Sequence, residues 1–127
     1  IQTIEKNDEL IEIQNKYFEK SSYRKNIFQL TGNALQILPT LNEKYDLIFL
    51  DADKKNYLTY LDLLIPKLKR KGILMTDNVL WNGKVLNKVK DKDSQIIDNY
   101  NKKVNSDKRL NSVMLPIRDG ITFSMKV

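Results

Sequence analysis

The sequence predicts an α/β fold in which helices cover a mostly parallel sheet that ends in an antiparallel edge. Two apolar runs, residues 45–50 and 72–76, have the length and composition of strands buried on both faces, as in parallel sheets. Predicted strands and helices alternate along the 127 residues until two successive strands close the chain. This order indicates a single α/β domain over residues 1–127.

The first third of the chain contains two predicted strands, each followed by a helix. Residues 1–5 alternate apolar and polar side chains, which indicates a strand, and Asn7 or Asp8 can cap the helix that follows. A short strand is predicted at residues 26–30 and a short helix at residues 34–41. Because proline disrupts a helix interior, Pro39 should end or kink this second helix early.

The rest of the chain supplies the two central strands and the antiparallel edge. Beyond the strand at 45–50, we predict a helix at 56–68, a turn at Lys71 and Gly72, a strand at 73–76, a loop at 82–90, a helix at 93–105 and strands at 110–115 and 121–127. The turn formed by Arg118, Asp119 and Gly120 joins the last two strands into a hairpin.

Composition excludes several classes of chemistry. The chain contains no cysteine and no histidine, so disulfides, cysteine-ligated zinc and histidine acid–base catalysis are excluded. Any proton transfer must involve carboxylates, lysines or tyrosines. No stretch approaches the roughly 18 consecutive apolar residues of a membrane span, and the opening residues lack a signal-peptide pattern. We therefore expect a cytoplasmic protein without a membrane partner.

The net charge of +6 raises the question of a nucleic-acid partner. The basic residues scatter along the chain, and the only dense run, within residues 67–71, lies where a predicted helix ends and cations complement the helix dipole. Charge alone therefore gives only weak support to nucleic-acid binding.

Acidic residues directly follow the two apolar strands. Asp51 comes after the strand at 45–50, and Asp77 and Asn78 come after the strand at 73–76. Ligand sites in parallel sheets lie beyond the carboxyl ends of the strands, so these side chains should point into one crevice. Their hard oxygen donors suit a divalent cation, with Mg²⁺ the first choice and Ca²⁺ or Mn²⁺ the alternatives.

Five segments together resemble the cation-dependent O-methyltransferases, the family of catechol and caffeoyl-coenzyme A O-methyltransferases and their bacterial relatives. They are TIE at 3–5, GNALQILP at 32–39, YDLIFLDADKKNY at 45–57, GILMTDNVLWNGKV at 72–85 and LPIRDGIT at 115–122. The similarity extends over nearly the whole chain, and the combination of DADK with TDNVLWNG is specific. The resemblance implies a Rossmann-like class I methyltransferase sheet and the cofactor S-adenosylmethionine.

The resemblance also implies roles for residues at the cofactor. Glu5 matches the acid that accepts hydrogen bonds from the ribose hydroxyls, and a carboxylate offers two acceptor oxygens to such a diol. Gly32, Asn33 and Ala34 match the segment that lines the adenine, where the family more often has Asp at the position of Asn33. Asp51 is expected to contribute to the cofactor site as well.

For the reaction itself, the resemblance implies a metal site and a lysine beside it. Asp51, Asp77 and Asn78 match the metal ligands, and Lys54 matches the lysine close to the substrate hydroxyl. Lys54 could take up the leaving proton or act as a charged orienting group. Three further residues match positions near the acceptor or at the pocket mouth: Tyr57, Trp81 and Arg118. Without the resemblance, aromatic residues such as Tyr57 and Trp81 indicate core packing first.

One part of the family pattern has no counterpart in this sequence. The family's first strand and its glycine-rich turn are absent, because none of the four glycines, at 32, 72, 83 and 120, lies in such a setting. We therefore expect an incomplete sheet in the carboxyl-terminal part of a longer protein. These residues alone should bind S-adenosylmethionine poorly, and the longer protein should be a homodimer, as its relatives commonly are.

The sequence leaves several functions open. The acceptor is either a phenolic or vicinal-diol small molecule or the 5-hydroxyuridine of a tRNA wobble position. A different class of function is a non-catalytic fragment or binding module, in which the carboxylates only cap helices. The acidic triplet at 51–53 also fits nucleotide-sugar transferases and, loosely, aspartyl phosphatases, but neither explains TDNVLWNG.

Overall fold

The computed structural model describes residues 1–127, which divide into two compact units, Ile1–Asn42 and Glu43–Val127. The first unit contains β1 (Gln2–Glu5), α1 (Asp8–Glu19), β2 (Phe28–Thr31) and α2 (Ala34–Ile37). The second unit contains β3 (Tyr45–Leu50), α3 (Tyr57–Leu64), β4 (Leu68–Asp77), α4 (Lys92–Ser106), β5 (Leu110–Leu115) and β6 (Ile121–Lys126). None of the helices combines the length and apolar character that crossing a bilayer requires.

The first unit is a parallel β1–β2 pair with two helices. Gln2 pairs with Phe28 and Glu5 with Thr31, and the Asn7 side chain accepts a hydrogen bond from the Glu9 amide at 3.1 Å, which confirms the predicted cap of α1. The helix α2 ends at Ile37 and continues as a 3₁₀ turn, Leu38–Thr40. Pro39 therefore shortens this helix, as predicted.

The second unit is a four-stranded sheet in the order β3-β4-β6-β5. The pair β3–β4 is parallel, and β4–β6 and β5–β6 are antiparallel. The predicted α/β class with an antiparallel carboxyl-terminal edge is confirmed. The six strands form two sheets rather than one, because no strand pairs with both β1 and β3.

The core of the second unit lies on one face of its sheet. The side chains that pack there are fully or almost fully buried: Leu50, Tyr57, Leu61, Leu64, Leu74, Ile97, Tyr100 and Val104. On the opposite face, Leu47 and Phe49 of β3 are 57% and 54% exposed. The prediction that β3 is buried on both faces is therefore wrong, because the buried sides of α3 and α4 both belong to the other face.

The start of β4 also differs from the prediction. Tyr45 pairs with Leu68 and Leu47 with Ile73, so residues 69–72 bulge out between the two pairs. A Cβ added to Gly72 would lie 2.9 Å from the carbonyl oxygen of Tyr45, which explains why glycine occupies this bulge. The predicted turn at Lys71 and Gly72 thus lies inside a strand, and the preceding α-helix ends at Leu64 instead of residue 68.

Candidate active site

The parallel register of β3 and β4 brings the two acidic segments together. Leu50 pairs with Thr76, so Asp51, the first residue after β3, and Asp77, the last residue of β4, lie at neighbouring positions on the carboxyl edge of the sheet. Asp51 is about half exposed, and Asp77 and Asn78 are partly buried. The three residues expected to bind a cation therefore lie at or directly after the ends of two adjacent strands.

Lys54 lies beside these carboxylates and has two partners. Its Nζ donates to Asp51 Oδ1 at 2.8 Å and to the Tyr57 hydroxyl at 2.5 Å. Only 15% of the Lys54 side chain is exposed, and the ammonium lies 4.8 Å from the centre of the Tyr57 ring. These contacts fix the ammonium group next to Asp51.

Tyr57 connects Lys54 with the end of β4. Its hydroxyl accepts from Lys54 and donates to the backbone carbonyl oxygen of Asp77 at 3.2 Å. Burial, together with the charge of Asp51, raises the pKa of Tyr57 far above its usual value, so the hydroxyl keeps its proton. Tyr57 is completely buried, and this position makes it a support for the site rather than an open contact for an acceptor.

A pair of tyrosines, Tyr57 and Tyr100, packs behind the site. The Tyr57 ring meets the Tyr100 ring edge-on, with 5.2 Å between the centroids. The Tyr100 hydroxyl lies 2.6 Å from Thr76 Oγ1, and burial raises the pKa of Tyr100 to about 12. The residues on either side of the β4 end are therefore tied to α3 and α4.

The Asp53 carboxylate is bound by side chains at the start of α3. The Tyr60 hydroxyl donates to its Oδ1 at 2.7 Å, and the Asn56 side-chain amide donates to its Oδ2. Both carboxylate oxygens therefore bind groups at the start of α3. Asp53 thus has partners on both oxygens, whereas Asp51 is bound by Lys54 through Oδ1.

The loop after β4 has an unusual backbone. Asn78, Trp81 and Asn82 have φ angles of 59°, 51° and 53°, in the left-handed region that non-glycine residues rarely occupy. The Asp77 carboxylate accepts from the amide of Asn78 at 2.7 Å. Such a backbone persists only where neighbouring groups hold it.

The turn between β5 and β6 supplies part of that restraint. The Val79 amide donates to the Gly120 carbonyl oxygen at 3.1 Å, and the Leu80 amide donates to the Asp119 carbonyl oxygen at 2.9 Å. The Asp119 carboxylate accepts from the Asn82 amide at 2.6 Å. Arg118 is exposed, so in this turn the loop is bound by Asp119 and Gly120.

Four of the five residues expected at the cofactor lie in the first unit, and the fifth, Asp51, lies in the second. Glu5 ends β1, and its Oε1 accepts from the amides of Lys6 and Asn7, both at 2.8 Å. The Gly32 amide donates to the Glu5 carbonyl oxygen at 2.8 Å, which brings these two predicted residues together. The carboxylate uses one oxygen locally and retains the other for a hydroxyl donor.

Asn33 has a structural role that the sequence did not reveal. Its side-chain oxygen accepts from the Leu35 amide at 2.9 Å and caps α2, which begins at Ala34. If Asn33 also contacts an adenine amino group, as expected, its side-chain oxygen would have to accept from the adenine and from the Leu35 amide at once.

The donor set fits a hard divalent cation. No three acidic, histidine or cysteine side chains form a metal cluster anywhere in the 127 residues, so a cation at this edge would rely on two carboxylates and the Asn78 amide. Lys54 and the Asn78 backbone each occupy one oxygen, on Asp51 and Asp77 respectively. An all-oxygen site with few protein ligands suits Mg²⁺, which commonly keeps water or substrate oxygens in its shell.

Sequence reasoning missed the residues that hold the site from behind. Asn101 of α4 donates to the Val79 carbonyl oxygen at 2.7 Å, and Asp119 binds the same loop. The sequence pattern that could have identified Asn101 is its position beside the apolar stripe of Ile97, Tyr100 and Val104. A polar side chain on that side of a helix usually has a buried hydrogen-bond partner.

The acidic residues and the lysine at the carboxyl ends of two parallel strands define the class as an α/β protein with a candidate ligand site at the carboxyl edge of its sheet. A family model described as O-methyltransferase matches residues 1–127. The chain therefore belongs to the O-methyltransferase family.

Individual relatives agree with this assignment. Caffeoyl-CoA O-methyltransferase 1 of Nicotiana tabacum is 35% identical over 134 residues, covering 95% of this chain and 56% of the tobacco protein. Caffeoyl-CoA O-methyltransferase 2 of Eucalyptus globulus is 37% identical over 134 residues, covering 95% of this chain and 54% of its own length. The chain thus spans about half the length of the curated relatives it matches.

Solved structures share the fold. The crystal structure of the SAH-bound methyltransferase PaMTH1 of Podospora anserina matches with a TM-score of 0.90 and 26% identity, covering 100% of this chain and 60% of that one. The O-methyltransferase of Bacillus cereus in complex with SAH matches with a TM-score of 0.89, covering 99% of this chain and 62% of that one. At 23% identity, the second likeness shows the fold alone.

Proposed function

We propose that the protein transfers a methyl group from S-adenosylmethionine to a hydroxyl of a phenolic or vicinal-diol small molecule, with the help of a divalent cation. The observation that carries this proposal is the grouping of Asp51, Asp77 and Lys54 at the adjacent ends of β3 and β4. Family membership supports the transfer reaction, and the caffeoyl-CoA enzymes among the relatives support a phenolic acceptor.

Asp51, Asp77 and Asn78 would hold the cation. When bound, a divalent cation favours the ionised form of a neighbouring hydroxyl and helps to orient it. The oxygen-only donor set supports Mg²⁺, with Mn²⁺ and Ca²⁺ as substitutes. Trp81, partly exposed in the same loop, is the proposed aromatic contact for the acceptor ring, and Arg118 remains a proposed contact at the mouth.

Lys54 is the proposed catalytic residue. Its ammonium is held between Asp51 and Tyr57, so its position is fixed before an acceptor binds. Tyr57 keeps its proton and is therefore a hydrogen-bond partner rather than a base. Lys54 either orients the developing oxyanion by its charge or receives the hydroxyl proton after giving up one of its own.

Glu5, Gly32, Asn33 and Ala34 would bind the nucleoside part of S-adenosylmethionine, which supplies the methyl group on its sulfonium. The acceptor oxygen forms a bond to the methyl carbon while the carbon–sulfur bond breaks, and the sulfur keeps the electron pair. The hydroxyl proton passes to Lys54 or to water. The Podospora relative binds SAH, which supports this choice of cofactor.

A tRNA acceptor is the weaker proposal. The excess of positive charge favours it, but the basic residues are scattered along the chain, and seven of the 22 pair with acids of the same chain: Arg24, Lys54, Lys69, Lys84, Lys90, Lys102 and Arg109. These internal pairs reduce the charge available for phosphates.

Methyl transfer from labelled S-adenosylmethionine by the whole protein tests the proposal, with a caffeoyl-type catechol and hydroxyuridine-containing tRNA as acceptors. We expect catechol methylation that chelation abolishes, that Mg²⁺ restores and that Asp77→Asn removes. The matched control is Asp46→Asn, an exposed carboxylate of β3 paired with Lys69, which should retain activity. Methylation that survives both chelation and Asp77→Asn would disprove the cation site.

A further inference from the structure

Asn101 is a polar residue on the buried side of α4. It follows Tyr100 and lies one turn from Ile97 and Val104, all three of which are buried. Its side-chain Nδ2 donates to the Val79 carbonyl oxygen at 2.7 Å. Because a carbonyl oxygen can only accept, this partner fixes which end of the amide faces the loop.

The contact restrains the residue that directly follows the proposed cation ligands. The Val79 amide donates to Gly120, and the Val79 carbonyl oxygen accepts from Asn101. The peptide planes before and after Val79 are therefore both held, from two different elements. Val79 itself is completely buried, so water does not replace these bonds.

The restraint matters because of the backbone beside it. Asn78 has a φ of 59°, a conformation that side chains disfavour and that neighbouring groups must impose. With the peptide planes around Val79 fixed, the backbone on the carboxyl side of Asn78 is restrained as well.

The amide of Asn101 comes with an energetic disadvantage. Its Oδ1 is buried and has no hydrogen-bond partner, and a buried unpaired acceptor destabilises the folded state. A side chain selected for packing alone would lack this oxygen. The amide is explained if its donor group is needed at Val79.

We propose that Asn101 is a positioning residue that holds the loop of residues 77–80 in the conformation that presents Asp77 and Asn78 to a cation. This inference rests on the proposed function. Asn101 does not touch the cation or the acceptor and acts through the Val79 carbonyl. In metal sites generally, substitution of residues that hold the metal ligands through hydrogen bonds weakens metal affinity about tenfold to a hundredfold.

Titration of the protein with Mn²⁺ alone tests this role. Asn101→Asp keeps the size of the side chain, removes the donor and places an anion against the Val79 carbonyl, so Mn²⁺ binding should weaken about tenfold or more. Asn99→Asp is the matched control, since Asn99 is exposed on the same helix and accepts from Gln95. Its Mn²⁺ affinity should stay within about twofold of the unchanged protein.

A second variant separates positioning from folding. Asn101→Ser is smaller and leaves room for water at the Val79 carbonyl, so it should fold and still weaken Mn²⁺ binding. Thermal unfolding measured beside each titration reports stability. A lower unfolding temperature with unchanged Mn²⁺ affinity in Asn101→Ser would overturn the inference and leave Asn101 as a structural residue.

The Asp77→Asn variant distinguishes the two levels of the proposal. If the unchanged protein binds Mn²⁺ and Asp77→Asn does not, the cation site stands, and the Asn101 variants decide the positioning role alone. If the unchanged protein and Asp77→Asn show the same Mn²⁺ binding, the proposed cation site fails, and the inference about Asn101 fails with it.

Discussion

The two units of the chain differ in how much of their own structure they bury. In the first unit, α1 contains no buried residue, and Ile13 and Tyr17 on this helix are 54% and 64% exposed. In the second unit, α3 and α4 each contribute four buried residues. The proposed cation ligands thus belong to a packed unit, whereas Glu5, Gly32, Asn33 and Ala34, proposed to bind the nucleoside of the cofactor, belong to a thinly packed one.

The difference extends to the site residues themselves. Lys54, Asp77 and the loop after β4 are bound by side chains of α3, α4 and the β5–β6 turn. Glu5 and Asn33 bind only groups within two residues of themselves through their side chains. Preorganisation by several distant elements is what a metal site needs, so cation binding should survive conditions that disturb the first unit.

The largest expected effect comes from truncating one apolar side chain in a helix of each unit and comparing the losses in the free energy of unfolding. Leu61→Ala removes a completely buried side chain of α3 and should lower the free energy of unfolding by about 2–5 kcal/mol. Ile13→Ala, on the exposed side of α1, should lower it by about 0.5 kcal/mol or less. Urea unfolding followed by circular dichroism measures both, and equal losses would break the comparison.

A smaller truncation in the second unit can be used if Leu61→Ala does not fold. Ile97→Val on α4 should cost about 0.5–1.5 kcal/mol. Amide hydrogen exchange on the unchanged protein gives an independent check, because amides of α3 and α4 should exchange more slowly than those of α1.

The next effect concerns the hydroxyl that joins Lys54 to β4. Tyr57→Phe leaves the ring in place but removes a partner from Lys54 and from the Asp77 carbonyl, so methyl transfer should fall about tenfold to a hundredfold. Tyr60→Phe is the control, because it deletes an equivalent hydroxyl that binds Asp53. Initial rates with a catechol acceptor measure the contrast, and similar losses in both variants would refute a specific role for Tyr57.

Two glycines of the second unit provide a smaller effect. Gly120 has a φ of 78°, and an added Cβ would lie 2.6 Å from Leu80 Cγ, whereas Gly83 has a φ of 75° with no atom within 4 Å. Gly83→Ala should therefore cost only the backbone strain, about 1 kcal/mol. Gly120→Ala should cost about 1–3 kcal/mol more because it also displaces Leu80. Chemical unfolding of the two variants gives the difference, and equal values would show that the loop moves freely away from the turn.

The local parts of this structure could be predicted from the sequence. The strand at 110–115 was predicted with its correct bounds. The proximity of Asp51 and Asp77 was also predicted, because the carboxyl ends of adjacent parallel strands lie side by side. The bulge at 69–72 could not, because it depends on the close approach of Gly72 to Tyr45.

The exposed face of β3 and the supports of the loop after β4 also escaped prediction. Which face of a strand is covered depends on where the helices pack, and no pattern within residues 45–50 records it. Asn101 lies 22 positions from its partner Val79 in the sequence, and Asp119 lies 37 positions from its partner Asn82. Sequence periodicity describes neighbours along one element, so contacts between distant elements remain hidden from it.

The smallest expected effect is a pH dependence within the second unit. Arg109 donates to Asp107 from Nε and Nη2 at 2.9 and 2.7 Å, and these bonds lower the pKa of Asp107 to about 2. Since the folded-state pKa lies below the unfolded value, the pair stabilises the fold above about pH 4 and loses this contribution as the pH falls toward 2. Asp107→Asn should therefore lower stability at pH 7 and flatten its decline in acid. Urea unfolding between pH 7 and pH 2.5 measures this. If the free energy of unfolding falls equally steeply with decreasing pH in both proteins, acid weakens the second unit through other carboxylates.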